Sequence, residues 1–289
     1  MATIEFSEEQ TMLMETAVDF CRKHSPIDRV RAQIEQSQSV DPAVWQEMVD
    51  LGWLGITVPE QYGGLGLSLA DAVPIAESMG RHLMGSPFIS TTLTTQALIS
   101  SGSDAQRERW LPQIAAGTAA SIALTEEDGN WNLTEIGSFA TIQGDQLLLT
   151  AKKCFVQDAP EAGVIVVSAR VDGDARLVAI AADQLPQGSL TRETVIDETR
   201  RSYTLDVDGL ALPADQLLDR ADFAAVEHAA LLLLSAEMSG GLSGVLHVII
   251  DYLTTRKQFD QYIGSYQSLK HPTGQILLSM EACRSHLYR

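Results

Sequence analysis

Arg256, Gln258 and Phe259 form a cluster of side chains that could bind a ligand. They follow a long apolar stretch whose pattern predicts a helix, so they lie near a helix C-terminus. A guanidinium group is favoured there by the helix dipole, and it can also form paired hydrogen bonds with phosphate oxygens. The residues alone leave two interpretations: a surface cap for the helix, or a group of side chains that holds a ligand.

The overall charge limits which partners are expected. The 289-residue chain has 20 Lys and Arg against 38 Asp and Glu, which gives a formal net charge of −18 at pH 7. Such a surface repels nucleic acid and anionic lipid, so we expect neither as a partner. A polyanionic small ligand is compatible with this charge, because the local field at a site decides its binding.

The cysteines and the apolar segments indicate a cytoplasmic protein. Cys21, Cys154 and Cys283 are an odd number of cysteines at spacings that fit no metal site, which predicts a reduced compartment and no bound metal. The N-terminal MATIEFSEEQ is too polar and acidic for a signal peptide. The most apolar run, residues 229–236, is shorter than the roughly 20 residues that cross a bilayer, so we expect no membrane span.

Three zones of different pattern predict an α+β fold. Residues 1–118 have helical spacing of apolar residues and predict an N-terminal α-helical domain. Residues 119–220 contain short runs rich in Val, Ile and Thr between turn dipeptides, which predicts a middle antiparallel β domain. Residues 221–289 return to helical patterns and predict a C-terminal helical bundle, which is incomplete because its apolar first helix needs more partners than the chain provides.

Local signals predict where several helices begin and end. Ser7 and Asp41 are suited to cap helix N-termini, Pro42 suits a first helical position, and Gly52 suits the position just past a helix end. The long apolar helix contains three glycines, which predict that another backbone approaches it closely: Gly240, Gly241 and Gly244.

Four segments at the joints between the zones resemble signatures of the acyl-CoA dehydrogenase family. They are LGWLGITVPEQYGGLGLS (51–68), AASIALTEEDG (119–129), TAKKCFVQDA (150–159) and RKQFDQYIGSYQ (256–267). The resemblance covers the whole chain, and the segments follow in the family's order. It implies the helical, β and helical domains of that fold, FAD as cofactor, and removal of two hydrogens across Cα and Cβ of an acyl-CoA thioester.

The resemblance also implies which residues lie along the flavin. Leu124 and Thr125 match a segment that runs along the ring system. Phe155 matches an aromatic residue that packs against the ring, and Val156 and Gln157 match residues that face its N5 and O4 edge. An aromatic neighbour and hydrogen bonds to N5 both tune a hydride acceptor. The alternative is an ordinary β-hairpin with a buried Phe.

A second group of residues is implied at the other end of FAD. Arg256, Gln258, Phe259 and Gln267 match residues that reach across a dimer interface to the adenine and phosphate arm of the neighbour's FAD. This role implies a homo-oligomer, or a heteromer with a second acyl-CoA dehydrogenase subunit. The alternative is that Arg256 only satisfies the helix dipole and that Phe259 is a core residue.

The chain departs from the family pattern where acyl-CoA would bind. Trp131 occupies the place of a small Ser, Gln157 the place of Thr or Ser, and Asp260 the place of the Gly after Phe259. A bulky indole at this point is expected to reshape the acyl-CoA site, unless Trp131 lies on the surface in a rearranged loop.

The catalytic base of the family is not visible in this chain, so the catalytic residue is unknown. One family position for it falls at Ala230, and Leu231 falls where many relatives carry an Arg that contacts substrate. With Trp131 and Leu231, His228 is a further candidate for substrate binding. Glu237 is a weak candidate for the base. Burying a carboxylate on an apolar helix costs free energy unless the carboxylate is paired, so the alternative is a structural Glu with a partner.

Several functions are compatible with these residues. One is an acyl-CoA dehydrogenase that passes electrons to an electron-transferring flavoprotein, with its base in a region absent from a truncated chain. Another is a non-catalytic partner subunit that lends part of an FAD site to a heteromer, as in steroid-degrading members of the family. A flavin oxidase or monooxygenase of the same superfamily, and a purely structural subunit without FAD, are the remaining alternatives.

Overall fold

Helices occupy both ends of the chain and a sheet occupies the middle, as the pattern predicts. The structure is a computed structural model that describes residues 8–36 and 40–289, so the predicted cap at Ser7 lies outside the described residues. The α-helices in these ranges are α1 (Glu8–His24), α2 (Ile27–Glu35), α3 (Pro42–Asp50), α4 (Leu69–Arg81), α5 (Phe88–Ser101), α6 (Asp104–Ala115), α7 (Phe223–Thr255) and α8 (Gln267–Leu287).

The ends of α3 confirm the local signals. The Ala43 N–H donates to the Asp41 carboxylate over 2.8 Å, and Pro42 opens the helix. Gly52, just past the end, adopts φ +76°, a conformation that favours glycine because it has no Cβ. The helix ends at Asp50 with Leu51 as its C-cap, and Gly52 follows the cap as the sequence predicts.

The middle of the chain forms one large sheet, and a small hairpin follows α7. The strands are β1 (Ala120–Ala123), β2 (Phe139–Gln143), β3 (Gln146–Gln157), β4 (Val164–Val171), β5 (Asp174–Ala181), β6 (Leu190–Arg192), β7 (Ser202–Pro213), β8 (Lys257–Gln258) and β9 (Gln261–Tyr262). The order in the large sheet is β1-β4-β2-β3-β7-β6. β1 and β2 pair with different parts of one edge of β4, and β5 pairs along its opposite edge.

This sheet is mixed, which corrects the prediction of a wholly antiparallel middle domain. β1 and β2 both run parallel to β4, whereas the remaining pairs are antiparallel. The period-2 pattern of a strand does not report its direction. The two parallel pairings arise because β1 and β2 reach β4 through long connections rather than tight hairpins.

Contacts between residues group the described chain into two compact units. The first contains residues 8–32, 70–84 and 231–289, and the second contains residues 33–69 and 85–230. Because both units draw on separated parts of the chain, the division into three consecutive domains stays a prediction.

The second unit is built around β4, which is buried on both faces. Ile165 and Val167 belong to a cluster that includes side chains of β3 and β7. Val164 and Val166 belong to another cluster that includes side chains of α5 and α6. Alternate residues of one strand therefore join the two cores, which fixes the sheet against its helices.

In the first unit, α4 and α7 cross with their backbones in close contact. A Cβ on Gly240 would lie 1.8 Å from the Glu77 carbonyl oxygen, and a Cβ on Gly244 would lie 2.6 Å from the Arg81 carbonyl oxygen. The predicted close approach is confirmed at these two residues. At Gly241 the nearest atom would be 3.8 Å away, which is an ordinary contact, so glycine is not required there.

α7 is longer and more exposed than the run of residues 229–236 suggested. The 33-residue helix is long and apolar enough to cross a membrane by length and composition, a test that core helices of soluble proteins also pass. Several of its large apolar side chains are more than half exposed: Leu231, Met238, Val245, Val248 and Tyr252.

The glycine contact predicts a large difference between two helical glycines. Gly240→Ala is expected to lower the free energy of unfolding by about 1–3 kcal/mol or more, because the new methyl group overlaps the α4 backbone. Gly274→Ala in α8 is the matched control. Among the described residues, no heavy atom outside the backbone of its own helix turn and its two chain neighbours lies within 4 Å of its Cβ position, so a gain of about 0.5–1 kcal/mol is expected from helix propensity. Urea unfolding followed by circular dichroism measures both, and a Gly240→Ala protein as stable as the control would contradict the contact.

Candidate functional site

The end of β3 departs from the regular ladder at Phe155. Lys153 pairs with Leu205 of β7 and Val156 pairs with Tyr203, so two residues of β3 lie opposite one residue of β7. Phe155 is part of this bulge, adopts φ +57° and leaves its ring about half exposed. A positive φ is costly for an aromatic residue, and such strain often marks functional sites. Neither this exposure nor the bulge fits the alternative of a plain hairpin with a buried Phe.

The segment after β1 lies directly beside this bulge. The Cys154 N–H donates to the Thr125 carbonyl oxygen over 2.9 Å, and the Ser121 hydroxyl donates to the Gln157 carbonyl oxygen. Leu124 and Thr125 are half-buried. The structure thus brings together the residues expected along the flavin: Leu124, Thr125, Phe155, Val156 and Gln157.

A buried ion pair holds the two segments together. The Lys153 side chain is fully buried, and its Nζ lies 2.6 Å from Glu126 Oε1 and 3.0 Å from the Ser168 hydroxyl. Glu126 also accepts hydrogen bonds from the Ser138 N–H and hydroxyl and from the Gly137 N–H. These hydrogen bonds offset the cost of burying the two charges.

This environment shifts the pKa values of both groups. Burial lowers the pKa of Lys153, and the hydrogen bond to Glu126 works against that effect. Burial tends to raise the pKa of Glu126, but hydrogen bonds from Lys153, Ser138 and Gly137 outweigh it and lower the pKa from 4.5 to about 2. The Glu126 carboxyl is therefore ionised at neutral pH.

Sequence reasoning did not single out Lys153 or Glu126, although both lie inside quoted motifs. The usable signal was a Lys in a strand otherwise buried on that face, between Ala151 and Val156. A lysine at such a position is rarely buried without an acidic partner.

The bulge also offers groups that suit a flavin. Within the described part of the chain, the buried Gln157 Oε1 has no hydrogen-bond partner. A buried amide oxygen without a partner is costly, so an unfilled polar position beside it is expected. The exposed ring of Phe155 provides a stacking surface, and the Gln157 amide oxygen provides a polar contact. These are the two features that a flat heteroaromatic ring needs. The residues present fit the flavin of FAD.

The Arg256 cluster forms the hairpin after α7. β8 and β9 pair in antiparallel register, and the turn residues Phe259 and Asp260 adopt φ +53° and +62°. Positive φ at both turn residues is the signature of a type I′ turn, in which Asp is tolerated better than most residues. Phe259 is 88 % exposed at the tip, so it is not a core residue.

The remaining members of this cluster are also exposed. Arg256 directly follows α7, where the helix dipole favours its charge, and the described residues give its guanidinium no hydrogen-bond or ion-pair partner. Gln258 lies in β8 and Gln267 opens α8. The four side chains are thus available to a ligand, and their role in binding FAD stays a prediction.

The candidates for substrate binding lie at exposed positions. Trp131 is 77 % exposed in the loop between β1 and β2. This position agrees with the alternative that Trp131 lies on the surface in a rearranged loop. His228 and Leu231 are exposed on α7, and Ala230 and Glu237 are half-buried on the same helix. None of these roles is tested by the structure, so they stay predictions.

The buried ion pair predicts unequal effects for two adjacent lysines. Lys153→Met is expected to lower the free energy of unfolding by about 3–5 kcal/mol, because Glu126 loses its cationic partner. Lys152→Met is the matched control: the exposed Lys152 lies 2.6 Å from the exposed Glu127, and such pairs contribute little. Chemical denaturation of both variants checks this, and equal effects would contradict the role of Lys153.

The lowered pKa of Glu126 predicts a dependence of stability on pH. A carboxylate whose pKa is depressed on folding stabilises the protein above its unfolded pKa, and this stabilisation is lost as pH falls through the folded pKa. For Glu126 the loss extends from pH 4.5 down to about 2. Glu126→Gln is expected to flatten this part of the stability curve, although it lowers stability overall by leaving Lys153 unpaired. The free energy of unfolding is measured by urea titration at a series of pH values, and Glu127→Gln should keep the wild-type dependence on pH. An unchanged dependence on pH in Glu126→Gln would contradict the lowered pKa of Glu126.

Comparison with known proteins relates this chain to a family. The family model described as acyl-CoA dehydrogenase, N-terminal domain, matches residues 7–118. Acyl-CoA dehydrogenase fadE12 of Mycobacterium bovis is 28 % identical over 96 % of this chain and 75 % of its own length.

Solved structures agree over nearly the whole chain. The Tcur3481-Tcur3483 steroid ACAD is 29 % identical with a TM-score of 0.84, covering 97 % of this chain and 76 % of its own. The ChsE4-ChsE5 complex from Mycobacterium tuberculosis is 23 % identical with a TM-score of 0.89, covering 99 % and 78 %, and shows the same fold. In its sequence motifs, its fold and these relatives, the chain is similar to members of the acyl-CoA dehydrogenase family.

Proposed function

We propose that this protein is a subunit of an FAD-dependent acyl-CoA dehydrogenase, which removes one hydrogen each from Cα and Cβ of an acyl-CoA thioester. FAD is the cofactor of this family. The observation that carries the proposal is the bulge at the end of β3. It presents the ring of Phe155 and the unpartnered amide oxygen of Gln157 beside Leu124 and Thr125.

The residues of this chain have separable tasks in the proposed site. When bound, FAD supplies the acceptor for the hydride that leaves Cβ. Phe155 provides an apolar face for a flat ring, and the Gln157 amide provides a hydrogen bond at a polar edge. Arg256 provides a guanidinium for phosphate oxygens of a cofactor held by a neighbouring subunit.

The group that takes the Cα proton is not assigned. A general base must reach that proton directly or through one water, and the family position at Ala230 has no titratable group. Glu237, half-buried on α7, stays the weak candidate within this chain. We therefore propose cofactor binding for this subunit and assign no proton transfer to it.

A second candidate function is the incomplete subunit of a heteromeric acyl-CoA dehydrogenase. It is favoured by Trp131 and Leu231, which replace residues that contact substrate in the family and are 77 % and 60 % exposed. It is also supported by the steroid ACAD, which is named for two components. In both functions the substrate is an acyl-CoA, electrons pass to an electron-transferring flavoprotein, and the proposed compartment is the cytoplasm.

The visible spectrum of the purified chain, alone and with a co-expressed second subunit, separates these functions. A yellow homo-oligomer that reduces a dye with acyl-CoA supports a complete dehydrogenase. A colourless chain that becomes yellow only with its partner supports the half-site subunit. Absence of flavin in both preparations would refute the proposal, and oxygen consumption with turnover would favour a flavin oxidase or monooxygenase instead.

We expect the Arg256→Ala protein to lose bound flavin. Removing a guanidinium that pairs with phosphate oxygens is expected to weaken FAD binding by roughly tenfold to a hundredfold. Lys270→Ala, which removes another exposed positive charge near the start of α8, should leave flavin content unchanged. The flavin-to-protein absorbance ratio after gel filtration measures both, and equal retention by the Arg256→Ala protein would refute the role of Arg256.

A further inference from the structure

Glu193, which no sequence motif singled out, lies against the backbone of the bulge. Both of its carboxylate oxygens lie 3.2 Å from the Phe155 N–H, which donates to them. Because a bulge takes a residue off the ladder, this N–H needs a partner other than the β7 backbone. Glu193 supplies that partner at Phe155, whose backbone is strained by its positive φ.

The carboxylate is itself fixed by the neighbouring strand. The Ser202 hydroxyl donates to Oε2 over 2.6 Å and the Thr204 hydroxyl donates to Oε1 over 2.8 Å, both from β7. The Glu193 N–H also donates to the Ser202 carbonyl oxygen over 2.9 Å. Hydrogen bonds from β7 therefore fix the backbone and both carboxylate oxygens of Glu193. Through its bond to the Phe155 N–H, Glu193 in turn holds the backbone of β3.

We propose that Glu193 is a positioning residue for the flavin-facing edge of β3. Its bond to the Phe155 N–H stabilises the positive φ of Phe155, and this backbone conformation sets the directions of the Phe155 ring and of the next residues to Gln157. A negative charge is suited to this task because a carboxylate accepts from all three donors, whereas a neutral amide would turn an N–H group towards one of them. The inference rests on the proposed binding of FAD at this edge.

The test combines three variants of the full chain, prepared with the partner subunit if flavin binding needs it. Glu193→Ala removes every contact, and Glu193→Gln keeps the shape but loses the charge. Glu198→Gln is the matched control, because it removes one exposed carboxylate five residues further along the same segment. FAD affinity is measured by quenching of flavin fluorescence, and hydrogen exchange of the peptide that covers Phe155 is measured without cofactor.

We expect Glu193→Ala to weaken FAD binding about tenfold or more and to speed hydrogen exchange at the Phe155 amide. Glu193→Gln should give a smaller effect of the same kind, which keeps the test open if Glu193→Ala fails to fold. Glu198→Gln should match the wild type in both measurements. A Phe155→Gly background should reduce the effect of Glu193→Ala on exchange, because glycine holds a positive φ without help.

The outcomes separate this inference from the proposed function. A wild-type protein that binds no FAD even with its partner refutes the proposed function. A wild type that binds FAD, with Glu193 variants that bind it equally well and exchange equally slowly, overturns the positioning role alone. An equal effect of Glu193→Ala with and without Phe155→Gly would also overturn it, because the carboxylate would then stabilise something other than the strained backbone.

Discussion

The candidate site depends on one buried charge, the ammonium of Lys153. Its burial without a partner would cost several kcal/mol, and the same is true of Glu126. Glu126 follows β1, whereas Lys153 lies in β3, so their pairing is satisfied only when the two segments lie side by side. The position of Leu124 and Thr125 relative to the bulge is therefore fixed by electrostatics rather than by apolar packing alone.

Glu126 and Glu193 act on the same stretch of β3 from different neighbours. Glu126 reaches Lys153 from the segment after β1, and Glu193 reaches the Phe155 N–H from the segment after β6. Cys154 and Phe155, the two bulge residues of β3, lie off the regular ladder opposite Thr204. Strained backbone persists only where its surroundings determine it, and two carboxylates on either side meet that condition. A site built in this way is rigid before any ligand binds, which lowers the cost of ordering it.

Sequence was most informative where a single residue type sets the local backbone or matches a motif. The cap at Asp41 and the position of Gly52 just past the end of α3 were predictable, whereas the flavin role of the segments around Thr125 and Phe155 stays a prediction. α5 was not predicted, because its Thr-rich segment lacks an apolar stripe and β-branched residues favour strands. In the structure its hydroxyls bond back to the helix: Thr92 to the Phe88 carbonyl, Thr94 to Ser90 and Thr95 to Thr91, each over 2.8 Å. Strand direction, the bulge partner Glu193 and the ion pair depend on residues far apart in sequence, and one sequence carries no signal for such pairings.

The exposed side of α7 connects the fold to assembly. Leu231, Met238, Val245 and Tyr252 are each more than half exposed and recur every seven residues. Apolar residues seven apart lie along one side of a helix, as one of the two apolar positions in each heptad of a helix–helix seam does. α4 contacts α7 through glycines, where backbones meet and no large side chain is needed, so the large apolar side chains lie elsewhere on the helix. A seam of this kind is what a bundle helix shows when further helices pack on it, and it gives the proposed oligomer a physical reason beyond the exposed Arg256.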